Sequence, residues 1–90
     1  MDDTELRKLL EELHAEIEGT QNVDEEGREL LRHLGRDIAE LLARSEGAPV
    51  QPSPARAQRL QDGIARFEVS HPALTRLLAD LLETLSNAGV

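Results

Sequence analysis

Apolar residues recur along this chain every three or four positions. Leu6, Leu10, Leu13 and Ile17 step by four, three and four, with Leu9 beside them. Leu31, Leu34, Ile38 and Leu41 keep the same rhythm, flanked by Leu30 and Leu42. Ala57, Leu60, Ile64 and Phe67 keep it again. Leu74, Leu77, Leu78, Leu81, Leu82 and Leu85 crowd the last stretch more broadly. Threes and fours put side chains on one face of a helix, whereas a half-buried strand would alternate. The pattern predicts amphipathic helices throughout.

The punctuation between stripes predicts where the helices stop. Asp2 and Glu5 have the spacing of a capping box before the first stripe, and Gly19 is a natural stop after it. Thr20-Gln21-Asn22 is a short polar break, and Asn22 with Glu25 offers a second cap. Asp24, Glu25 and Glu26 then crowd a first turn, where the helix dipole favours negative charge. Gly27 lies in line with the second stripe, a position that permits close approach of a neighbouring helix. Residues 47–53 form a Pro/Gly linker that excludes regular helix. Ser53 followed by Pro54 is a strong helix start. Pro72 breaks the chain again, with Ser70 or His71 as cap.

These signals predict an all-α chain forming a single domain over residues 1–90. It is a small bundle of four helical segments, at about residues 3–18, 23–45, 54–68 and 72–87. The alternative is two long interrupted helices forming a hairpin around the linker, because the seven-residue rhythm runs unbroken through both Gly19 and His71.

Composition agrees with helices and narrows the function classes. Leucine dominates, and Phe67 is the one residue among Phe, Trp and Tyr. A chain of 90 residues without cysteine cannot use disulfides to supplement its small core. Oligomerisation is the remaining common support. No apolar run is long enough to span a bilayer. The acidic start Met1-Asp2-Asp3-Thr4-Glu5 does not read as a secretory signal, so the expected location is cytoplasmic. The net charge of −8 falls in residues 1–46, which hold fourteen acids and six bases, while residues 47–90 hold four of each. That balance argues against nucleic acid as a partner, since such binding usually rests on a basic patch.

Three stretches resemble a known family. They are Leu6-Arg7-Lys8-Leu9-Leu10-Glu11-Glu12-Leu13-His14, then Val23-Asp24-Glu25-Glu26 leading into Arg28-Glu29-Leu30-Leu31, then Arg66-Phe67-Glu68-Val69-Ser70-His71-Pro72-Ala73-Leu74. In this order they resemble a bacterial family of short helical proteins catalogued as a domain of unknown function. The stretch from Phe67 to Leu74 is the most distinctive. The resemblance implies a small helical bacterial protein and carries no activity, cofactor or catalytic residue onto any position.

Candidate chemistry is sparse. His71 reads either as a ligand or pH-sensitive group, or as part of a structural corner with Ser70 and Pro72, its ring bonding a carbonyl of the preceding helix. Glu29, His33 and Asp37 stand four apart, a spacing that suits metal ligation with His14 and Glu18 as further donors, but a solvated charged face explains it as well. Arg28, Arg32 and Arg36 are placed to face Glu5, Glu12 and Glu16 of the first helix, or to form an anion-binding strip. No nucleophile elbow or phosphate-cradling glycine loop is present, so neither an enzyme nor a cofactor is expected. The leading expectation is a non-catalytic interaction or assembly protein. It self-associates as a homodimer or binds a partner helix through Leu60, Ile64, Phe67, Leu74, Leu77, Leu78, Leu81, Leu82 and Leu85. The alternatives are a ligand- or metal-responsive regulator using its histidines, and an acidic mimic that binds a basic protein.

Overall fold

The computed structural model describes residues 3–44 and 53–88. They form four helices: α1 (Asp3–Gly19), α2 (Glu25–Ala43), α3 (Pro54–Phe67) and α4 (Pro72–Ala88). The expected Asp2 cap and linker residues 47–52 lie outside the described residues.

The helix ends follow local chemistry. α1 runs through Gly19 and closes with Thr20, whose backbone N–H donates to Ile17 O at 3.2 Å. Asn22 has φ 61°, a left-handed conformation that asparagine tolerates better than most residues. The cap of α2 is therefore Asp24 rather than Asn22: Asp24 Oδ1 accepts from Gly27 N at 2.8 Å. This moves the start of α2 to Glu25, while its end falls at Ala43, so the helix is shorter at both ends than its stripe suggested. α3 opens as expected, with Ser53 Oγ accepting from Arg56 N at 3.2 Å and Pro54 in the first turn.

Each helix packs on two neighbours in a ring. α1 meets α2 and α4, α3 meets α2 and α4, and the diagonal pairs stay apart. Cross-links fix the directions. Arg7 near the start of α1 donates to Leu42 O near the end of α2. Arg66 at the end of α3 reaches Asp24 at the start of α2. His71 at the start of α4 meets Gln21 just beyond α1. Successive helices are therefore antiparallel, which excludes the two-long-helix alternative and leaves an up-down-up-down four-helix bundle.

The stripes meet inside this ring. Leu10, Leu13, Leu34, Ile38, Leu60, Phe67, Leu74, Leu78 and Leu81 are almost wholly buried. Glycine sets the closest approaches. A Cβ on Gly63 of α3 would lie 3.0 Å from Leu78 Cδ1 and 3.1 Å from Leu34 Cδ1. A Cβ on Gly27 would lie 3.4 Å from Phe67 Cε1, so the close approach expected at Gly27 is made by α3.

Among the described residues one charged side chain enters the interior. Asp37 of α2 is 6% exposed and accepts two hydrogen bonds from Arg59 of α3, at 2.6 and 2.7 Å. The guanidinium fork matches both carboxylate oxygens. The Arg59 side chain keeps 34% exposure, so water reaches one partner and not the other. Removing the arginine strands a buried carboxylate, whereas removing the aspartate leaves an arginine that can rotate into solvent. Arg59→Leu should thus cost about 1–3 kcal/mol, less than for a fully enclosed pair, and Asp37→Leu should cost less. Chemical denaturation of both variants and of the double variant checks the order. Equal losses for the two single variants would contradict it.

Candidate functional site

The most elaborate polar arrangement lies at the end of the bundle where the α1–α2 loop faces the α3–α4 corner. It is built on the Phe67–Leu74 stretch. Pro72 cannot continue α3, so the chain turns there and restarts as α4. His71 N donates to Phe67 O at 2.8 Å. His71 O then accepts from Thr75 N and Thr75 Oγ1, both at 3.1 Å, opening α4.

The imidazole joins the two hairpins. Its Nε2 lies 3.0 Å from Gln21 O and its Nδ1 lies 2.8 Å from Ser70 Oγ. A carbonyl has no proton to give, so Nε2 carries the hydrogen and a neutral ring accepts from the serine hydroxyl at Nδ1. Protonation at Nδ1 would only reverse that second bond, since the hydroxyl can rotate. The ring also stands edge-on to Phe67, with centroids 5.7 Å apart at 85°. The expected ring bond was to a carbonyl of the preceding helix, and His71 lies between α3 and α4. The carbonyl it bonds belongs to the α1–α2 loop, however, and Ser70 supports the ring.

A second tie lies beside it. Arg66 Nη2 donates to Asp24 Oδ1 and Oδ2 at 2.7 and 2.6 Å and approaches Glu26 at 3.5 Å. The Arg66 hydrogen bond, aided by Gly27 N–H, holds the Asp24 carboxyl below the usual carboxylate range. A depressed pKa stabilises the fold above the unfolded value, near pH 4, and that contribution is lost as pH falls through the folded value. Thermal melts from pH 5 to pH 2 should therefore show a steeper loss for the native chain than for Asp24→Asn. Parallel curves would rule out this role. Between the two ties lies a cleft of about 370 Å³ lined by Asn22, Val23, Arg66, Phe67, Ser70 and His71. At the outer edge of the corner Val69 is 91% exposed, the large apolar side chain left in the open among the described residues.

The leucines expected to form a contact surface divide into two sets. Leu60, Phe67, Leu74, Leu78 and Leu81 are at most 2% exposed inside the chain's own core, so they are not available to a partner. Ile64, Leu77, Leu82 and Leu85 are partly buried and pack against that core. At 100° per residue Leu77 and Leu82 fall on opposite flanks of the Leu74–Leu78 line. α4 has two neighbours, α1 and α3. Its breadth of leucine serves both.

The other candidates separate. Glu29 and His33 are exposed, while Asp37 is turned beneath α3 to Arg59. His14 pairs with Glu18 at 3.5 Å on its own helix. Among the described residues no group of three or more potential ligands is placed to hold a metal ion. Arg7 marks the side of α1 that meets α2, and Glu5, Glu12 and Glu16 lie roughly 140–180° round the helix from it. They therefore do not face Arg28, Arg32 and Arg36. Sequence reasoning missed the Asp24–Arg66 and Asp37–Arg59 pairs. The available signal was position: Asp37 and Arg59 each sit directly beside a stripe residue, where bundle helices exchange ion pairs.

No helix among the described residues is long and apolar enough to cross a membrane. Residues 6–90 match a family described as Domain of unknown function (DUF4404). No curated protein and no solved structure matches the chain.

Proposed function

Because the chain belongs to the DUF4404 family, a domain of unknown function, no activity comes with membership, and we propose from its own geometry that it is a non-catalytic interaction protein. Its contact centre is the corner of the C-terminal half, Val69-Ser70-His71, and its partner is another protein. The exposure of Val69 carries this reading. The side chain stands in water on a turn fixed by the His71–Gln21 and Arg66–Asp24 ties. An apolar group already held in place loses little freedom on binding, which is how preorganised contacts gain affinity. Glu68 and Ser70, its neighbours in the chain, are polar and exposed, as the rim of a protein interface usually is.

Charge favours the kind of partner. A net charge of −8 attracts a basic surface and opposes docking of a second copy. The non-catalytic reading is supported by the polar side chains themselves. Both ring nitrogens of His71 are engaged, and the Asp24 carboxylate is held by Arg66 and by a helix N-terminus.

The test compares tagged native protein with Val69→Glu, each crosslinked in its own cell and analysed by mass spectrometry. Circular dichroism first establishes that both fold alike. A partner crosslinked at residues 66–71 and lost with Val69→Glu is the expected result. Equal recovery by both proteins overturns the assignment of the surface. A concentration-dependent dimer abolished by Val69→Glu replaces the second protein with a second copy.

A further inference from the structure

The opposite end of the bundle carries a different feature. The first turns of α1 and the last turn of α2 enclose a cleft of about 390 Å³. This volume falls within the roughly 300–1,000 Å³ of small-molecule sites. Leu42 gives the cleft its partly exposed apolar surface, with the buried Leu10 and Leu41 beneath it, and Arg7, Lys8 and Arg44 stand around it. Glu11 is the one carboxylate among the described residues that line it. Three of the six bases in the acidic first half thus gather at one apolar opening. Arg7 Nη1 donates to Leu42 O at 3.3 Å, which holds the guanidinium across the cleft and leaves its other N–H groups for a second acceptor.

We propose that this cleft binds an amphipathic anion, a carboxylate head on a single alkyl tail. The head lies between Arg7 and Lys8, and the tail lies along Leu42, over the buried Leu10 and Leu41. Each half of the ligand answers one property of the site. A cation would meet the exposed Arg7 and Lys8 where the proposed head group lies. A bare inorganic anion would gain only contacts with exposed cations, which water and salt weaken. An uncharged alkane would forgo the charge-assisted hydrogen bonds that guanidinium groups form with carboxylates. The site is independent of the Val69 corner, which lies at the other end of the helices.

The probe is sodium decanoate, kept below its micelle-forming concentration and added to the full-length chain. Methyl and amide NMR signals of Leu10, Leu41 and Leu42 should shift and saturate, with little change near Val69. The melting temperature should rise, as it does for any ligand selective for the folded state. Decanol should bind about tenfold more weakly, and Arg7→Ala/Lys8→Ala should weaken decanoate by a similar factor, the scale of one charge-assisted hydrogen bond. Both substituted residues are exposed, so the variant is expected to fold. Non-saturating shifts, a lowered melting temperature, or equal binding of decanol and decanoate would each overturn the proposal. So would undiminished binding by the double variant.

Discussion

Replacing Phe67 with alanine is expected to cost about 3–5 kcal/mol, the largest single loss available in this chain. A domain of 90 residues has about 5–13 kcal/mol in total at typical stabilities per residue. The substitution therefore removes between a quarter and nearly all of it. Phe67 is 2% exposed and sits where three elements converge. It is the last residue of α3, it packs over Gly27 of α2, and its ring supports the His71 imidazole at the start of α4. No nearby side chain can collapse into the space without abandoning one of these contacts. Phe67→Leu keeps most of the volume and should cost far less, under about 1.5 kcal/mol if the neighbours repack. Urea titration followed by circular dichroism gives the comparison, since the chain has no tryptophan or tyrosine to report by fluorescence. Similar losses for alanine and leucine would show that the ring edge, rather than the volume, is what matters.

Gly63→Val should be the next most damaging change, at about 2–3 kcal/mol from overpacking. The first added carbon already lies 3.0 Å from Leu78 and 3.1 Å from Leu34. Both neighbours are ends of leucine side chains and can shift by tenths of an ångström. Gly63→Ala should accordingly come close to neutral, because alanine also favours the helix by up to about 1 kcal/mol. Valine adds two more methyl groups to a site already closed by α2 and α4. Both of those leucines have 0% exposure and no outward room. The informative measurement is the gap between alanine and valine. If valine were tolerated like alanine, α3 would not be seated as closely as the Gly63 contacts require.

The four helices were legible because each has a complete local description: a stripe, a break and, for α3, a cap and first-turn proline. The topology was less legible. The seven-residue rhythm passes through Gly19 and His71 without a shift, so periodicity alone fits both a turn and a continuation. What separates them is a set of contacts between distant residues, such as His71 with Gln21. The same limit hid the two principal ion pairs. Asp24 looked like one acid among three in a first turn, and its special role depends on Arg66, 42 positions away. Asp37 looked like part of a solvated metal-ligand spacing until Arg59, 22 positions away, covered it. The burial of the expected contact leucines was hidden for a related reason. A broad leucine face does not reveal how many neighbours share it, and α4 has two.

The Asp37–Arg59 pair has a consequence for how the helices are indexed along their length. The apolar contacts between α2 and α3 already favour one axial setting, since Gly63 admits Leu34 and Gly27 admits Phe67. A slip of one turn moves α3 by about 5.4 Å relative to α2. In the slipped setting Gly63 would miss Leu34 and Gly27 would miss Phe67, the guanidinium would leave its carboxylate, and Asp37 would stay buried without a counter-charge. The pair therefore acts as an indexing pin beside the two glycine notches, adding the cost of an uncompensated buried charge to any other axial setting.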